Sequence, residues 1–161
     1  MATKLDGIAK KAQQEPKFRF TSLMHHVTKE VMWKSVCHTN SSTTPGVDGV
    51  TAKEAKSTFQ TWIDPMIQAV HRQGYKPPVV KRCWIPKPGK QEKRPLGIPC
   101  VGDRALQRSV SLVLTSIYEQ DFLSCSFGGR PKRSAHQALA TLNEIVCGKK
   151  VSWVYEADLK N

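Results

Sequence analysis

The sequence predicts an α+β fold in which helices pack around one small antiparallel β-ribbon, with a final strand starting a sheet that is not completed. Three observations carry this reading. Apolar residues recur at the helical period in separate stretches, at Phe20–Val31, Phe59–Val70 and Leu106–Ile117. Between the second and third lies Lys81–Pro99, where two short β-prone runs flank Pro86-Lys87-Pro88-Gly89-Lys90. Proline presets φ and glycine supplies a positive one, so this is turn chemistry, and the prolines mark an edge ribbon. The last run, Val151–Leu159, reads as a strand carrying one acid, Asp158.

In chain order, residues 1–16 are polar and lysine-rich and predict a loosely held helix stopping near Pro16. Phe18 to about Val36 predicts one helix burying Phe20, Leu23, Met24, Val27 and Val31, with Lys17, Arg19, Lys29 and Lys34 outside. His38 to Gly49 is a loop of small polar residues, Pro and Gly. Thr51 and Glu54 form a capping box for the next helix, which Pro65 is expected to kink or split and Gly74 to end. Asp103–Tyr118 is the most regular helix, with Leu106, Val110, Val113, Leu114 and Ile117 as its apolar stripe and Arg104 and Arg108 off it. Ser124–Arg133 is a second glycine-containing basic loop, after which Ser134 caps a helix expected to bury Leu139, Leu142, Ile145 and Val146.

A net charge of +12 over 161 residues makes a polyanion the expected partner, with nucleic acid the first candidate. A membrane partner is not expected: no apolar run approaches the ~20 residues of a spanning helix, and the cations are not confined to one amphipathic helix. The first residues lack the apolar core of a secretory signal, and the five cysteines are an odd number with no CxxC. Free buried thiols in a reducing, bacterial-type cytoplasmic setting are expected. His25-His26 and Cys37-His38 do not complete a four-ligand metal spacing. The ribbon concentrates Lys81, Arg82, Lys87, Lys90, Lys93 and Arg94 against a single acid, Glu92, as suits phosphate contacts.

In this order the pieces resemble the N-terminal half of the reverse transcriptases encoded by bacterial group II introns, the intron maturases. Pro45-Gly46-Val47-Asp48-Gly49 resembles the extra N-terminal block of that family. Tyr75-Lys76-Pro77-Pro78, Ile85-Pro86-Lys87 and Lys93–Pro99, running into Asp103-Arg104 and Gln107, resemble the first finger block. Ser126-Phe127-Gly128, Arg130-Pro131, Arg133-Ser134 and His136 resemble the second. Val154–Lys160 resembles the opening of the palm block, and the likeness covers residues 18–161. Gly129 and Lys132 depart from it, since the family more often has an aromatic residue and a glycine there.

The resemblance implies a helical extension with a lid-like loop over 1–50, polymerase fingers over 51–150 and the start of the palm over 151–161. It implies that Lys87 and Arg94 grip the triphosphate of an incoming deoxynucleoside triphosphate. Pro45, Gly46, Asp48 and Gly49 would lie over the RNA template, and Lys81, Arg82, Arg104, Arg130 and Arg133 would touch nucleic acid, with Arg130 stacked on a template base. Asp103, Arg104 and Gln107 read equally as a network supporting the ribbon. Asp158 matches the first catalytic, magnesium-binding aspartate. Two-ion phosphoryl transfer needs further carboxylates, and no adjacent Asp-Asp pair occurs in these 161 residues, so this stretch alone is not expected to polymerise. The parent would be an RNA-directed DNA polymerase extending a DNA primer and would bind its intron RNA to assist splicing. The competing readings are a non-catalytic RNA-binding maturase module or truncated relic, and a reverse transcriptase of another biology. An unpartnered apolar Val151–Leu159 predicts self-association.

Overall fold

The structure, a computed structural model, describes residues 2–89 and 91–158. Among them are six α-helices, one 3₁₀ turn and one two-stranded antiparallel sheet, which is the α+β architecture with a small ribbon that the sequence predicts. Helix α1 (Ala2–Gln14) buries Ile8 and Ala12 and packs on α5 (Val101–Tyr118). Helix α2 (Lys29–His38) is capped by Thr28, whose hydroxyl accepts from the Val31 amide. It packs against α5 and against α4 (Phe59–His71).

The core sits where these three helices meet. Val27, Met32, Val36, Phe59, Ile63, Met66 and Ala105 form its buried centre, with Trp62, Tyr75, Leu106 and Val110 around it. Small residues let α2 and α5 approach closely: Ser35 and Ser109 are fully buried with their hydroxyl oxygens 2.9 Å apart. Ser35 also lies within hydrogen-bond reach of the Val31 carbonyl and Ser109 of the Ala105 carbonyl, so one hydroxyl can donate to the other and that one to its own carbonyl, leaving neither unsatisfied in the core.

Helix α3 (Ala52–Ser57) opens with the expected capping box between Thr51 and Glu54. The helix of residues 52–71 breaks at Thr58 instead of Pro65. Pro65 lies exposed within α4, while Thr58 leaves the helical region at ψ 13°. The helix expected over Phe18–Val36 is also interrupted. Residues 17–22 are irregular, Leu23–His26 form a 3₁₀ turn, and the α-helix starts only after the Thr28 cap. Met24, expected in the core, is 40% exposed; a one-turn 3₁₀ segment eclipses side chains three apart and cannot present the broad stripe of an α-helix.

Two further expectations are corrected at the C-terminal side. Helix α6 (Ala135–Gly148) has the Ser134 cap, completed by Gln137 as a capping box. Leu139, Leu142, Ile145 and Val146 are nonetheless 41–64% exposed, because no element among the described residues covers that face. Residues 151–158 form no strand. They run without regular structure, with Trp153, Val154 and Tyr155 more than four-fifths exposed. Strand geometry needs a neighbour to take its backbone hydrogen bonds, and none is present here; Leu159 lies outside the described residues. On α5 the buried positions are Val101, Asp103, Ala105, Ser109 and Val113, whereas Leu114 of the expected stripe is 39% exposed. No helix of the described residues is long and apolar enough to cross a membrane.

Candidate nucleotide and nucleic-acid site on the β-ribbon

Strands β1 (Lys81–Pro86) and β2 (Lys93–Ile98) pair antiparallel, with Lys81 opposite Ile98, Trp84 opposite Pro95 and Ile85 opposite Arg94. The Lys87 amide donates to the Glu92 carbonyl at 3.1 Å, extending the ladder by one residue, and Gly89 turns the chain at φ 71°. Side chains alternate across a strand, so the register sorts the cations. Lys81, Cys83, Ile85 and Lys87 share one face with Glu92, Arg94, Leu96 and Ile98. Arg82, Trp84 and Pro86 share the other with Lys93, Pro95 and Gly97.

Lys87 and Arg94 therefore stand on the same face as diagonal neighbours, with Cβ atoms about 7–8 Å apart in such a pair. Lys87 is half-buried, and its Nζ donates to Glu92 Oε2 at 2.9 Å. Arg94 is exposed and makes no side-chain bond among the described residues. The arrangement sets two cations on one face and holds one of them on an exposed carboxylate.

The first turn of α5 gathers three separate segments. Gly46 of the lid-like loop is buried on Cys100: a Cβ at Gly46 would lie 2.7 Å from Cys100 Cα and 2.8 Å from its nitrogen. Burial is the main cause that pushes the Cys100 thiol above its ordinary pKa; the backbone bond at Asp48 opposes it, the Asp48 side chain adds to it, and a backbone bond at Val47 opposes it least. Arg104 Nη2 donates to the Thr44 carbonyl at 2.9 Å. Tyr75, on the approach to β1, donates its hydroxyl to the buried Asp103 carboxylate. Burial, followed by that bond, raises the Tyr75 pKa well above the ordinary tyrosine range. Asp103 and Arg104 are thus the scaffold under loop and ribbon; Gln107 is exposed further along α5. Pro45 is half-buried, while Asp48 and Gly49 are exposed, with Gly49 at φ 70°.

In the second basic loop the Arg130 guanidinium is engaged within the chain. Its Nε and Nη2 donate to Glu119 Oε1 at 3.0 and 2.7 Å, and its Nη1 to the carbonyls of Leu123 and Ser126. The aromatic ring under it is Phe122, 5.0 Å away, and only 7% of its side chain is exposed. Arg133 lies exposed over Phe127. Asp158 is exposed. The buried thiols expected of the cysteines reduce to Cys100; Cys37, Cys125 and Cys147 are exposed.

Several contributing residues were not marked by sequence motifs. The Glu92 contact follows once the hairpin register is known. Glu119 and Cys100 carried no signal in the sequence, since their partners are set by the close of a loop and by helix placement.

The fold and the ribbon define an α+β protein that presents clustered cations on an exposed antiparallel hairpin. No protein-family model matches the chain. Over 157 residues, 97% of its length, it is 31% identical to Group II intron-encoded protein LtrA of Lactococcus lactis subsp. cremoris. It is 34% identical over 93% of its length to Protein YkfC of Escherichia coli K12. Sixty-one per cent of the chain is 35% identical to an uncharacterized 91 kDa protein in the cob intron of Schizosaccharomyces pombe. The chain spans 26% of LtrA and 41% of YkfC. It is thus, over almost all of its length, a homologue of group II intron-encoded proteins, the reverse transcriptase and maturase family its blocks resemble.

Proposed function

We propose that this chain is the fingers region, with an N-terminal extension, of an RNA-directed DNA polymerase of group II intron type. The observation that supports it most directly is the placement of Lys87 and Arg94 on one face of a projecting ribbon. In this reading the two cations hold the triphosphate of the incoming nucleotide and neutralise charge building on the leaving pyrophosphate. Lys87 exchanges Glu92 for a phosphate oxygen on binding. The loop Pro45–Gly49, held on α5 by Gly46 and Cys100, lies over the RNA template. The remaining ribbon cations and Arg133 contact nucleic acid, including the DNA primer and the intron RNA whose splicing the parent protein assists. Arg130 contributes by fixing the shape of the loop at 119–130.

Magnesium belongs to this chemistry, where it would assist in-line displacement at phosphorus. Among the described residues no group of three or more carboxylates, imidazoles or thiols converges, so Asp158 by itself does not fit a two-ion site. Polymerisation in this proposal therefore draws on carboxylates outside these 161 residues. A non-catalytic RNA-binding module is the second reading, in which the same cationic face serves binding alone.

Charge reversal separates the two. In the full open reading frame, Lys87→Glu with Arg94→Glu is expected to lower nucleotide incorporation at least about 100-fold while sparing most RNA affinity, measured by primer extension and filter binding. RNA affinity falling as far as incorporation would sink the nucleotide-grip assignment. Sequencing past the codon for Asn161 tests the same proposal, which requires the missing aspartates downstream.

A further inference from the structure

We propose that the second face of the β-ribbon, Arg82–Trp84–Lys93, is a separate site for single-stranded RNA. Trp84 is the base-stacking platform in it, and the two cations take the flanking phosphates. The proposal deepens the function above by giving the outward face a ligand distinct from the nucleotide held by Lys87 and Arg94.

Four observations carry it. The register places Arg82, Trp84 and Lys93 on one face: Trp84 lies opposite Pro95, Arg82 opposite Gly97, and Pro86 opposite Lys93. Every residue of that face is exposed, whereas the opposite face is half-buried at Cys83, Ile85 and Ile98. Trp84 is 57% exposed, and its neighbours across the ladder are a proline and a glycine, which leave the indole uncovered. Burying a large aromatic ring is strongly favourable, so a tryptophan left in water on the ribbon is a contact surface awaiting a flat partner.

Charge then selects that partner. The only acid of the ribbon, Glu92, belongs to the other face, paired with Lys87. Arg82 and Lys93 make no side-chain hydrogen bond or ion pair among the described residues. An indole between two unopposed cations, with no carboxylate beside it, matches a nucleobase between phosphates; an acidic peptide would meet the charges but offer the indole no flat ring to stack on. Stacking of this kind tolerates any base, since every base has a π-face.

The test uses the 161-residue chain and a fluorescein-labelled 12-nucleotide oligouridine, read by anisotropy across a salt series. Trp84→Leu is expected to weaken binding about 10- to 100-fold with its salt slope unchanged, and Trp84→Phe to restore most of the loss. Arg82→Ala with Lys93→Ala is expected to flatten the slope of log K against log salt by about 0.7 per cation removed. Circular dichroism of each variant checks that the fold is intact; these exposed positions bear little on the core. If the unaltered chain binds and Trp84→Leu binds equally well, the assignment of this face is overturned while RNA binding stands. If the unaltered chain binds no RNA, the proposed function falls as well. Tighter binding of the matched deoxy-oligonucleotide would assign the face to DNA and overturn the proposal as stated.

Discussion

Gly46 and Tyr75 show how single atoms hold the lid-like loop and the ribbon on one helix turn. At Gly46 a methyl group would meet backbone atoms of Cys100 at 2.7 and 2.8 Å, which have no rotamer to retreat into. Gly46→Ala is expected to cost about 1–3 kcal/mol and to lift the loop from Cys100. Chemical denaturation reads the first effect, and faster alkylation of Cys100 by iodoacetamide reads the second. Tyr75→Phe removes the hydroxyl that donates to a buried carboxylate, Asp103, and is expected to cost about 1–3 kcal/mol. Its pH dependence has a definite sign. The folded state raises the Tyr75 pKa, so the phenol contributes stability that is fully present below about pH 10, the ordinary tyrosine value. That contribution is lost as pH rises beyond it. The melting temperature between about pH 9 and pH 11 should fall more steeply for the unaltered chain than for Tyr75→Phe; equal slopes would mean that folding does not raise the Tyr75 pKa.

At the scale of elements, α4 tolerates Pro65 because the residue is exposed and the helix is anchored on both sides by buried Phe59, Ile63, Met66 and Val70. The proline still removes a backbone donor in the helix interior. Pro65→Ala is therefore expected to stabilise the chain by about 1–3 kcal/mol and raise the melting temperature. A fall in the melting temperature would show that the ring makes contacts the solvent exposure does not suggest. Thr51 and Ser134 behaved as their sequence contexts predict, because a capping box is a local device spanning four residues. The interval Phe18–Thr28 did not. Its apolar spacing fits a helix, but Phe18 instead packs edge-on to Phe20 and under the Lys11 ammonium, and the chain takes a left-handed turn at Ser22. Periodicity records which residues want burial; it does not record which neighbour offers it.

For the whole molecule, the apolar surface is distributed unevenly. One end holds the α2–α4–α5 core, while α6 and residues 153–155 expose Leu139, Leu142, Trp153, Val154 and Tyr155. Exposed apolar side chains of this kind favour association. Light scattering on the 161-residue chain should show mass rising with concentration, and Trp153→Ser with Tyr155→Ser should reduce it; a monodisperse monomer at high concentration would count against that. The sequence by itself determined the hairpin, the Thr51 capping box, the Ser134 cap, the concentration of positive charge and the family likeness. All of these are written in local runs where one residue constrains its near neighbours through φ, hydrogen bonds or charge. Only the tertiary structure decided that the ribbon sorts its cations onto two faces, that Arg130 turns inward to Glu119, and that Tyr75, Cys100, Arg104 and Thr44 meet at one helix turn. Those outcomes depend on register, loop closure and helix packing. Such contacts bridge residues up to 60 apart, as between Thr44 and Arg104, where no local pattern can record the partner.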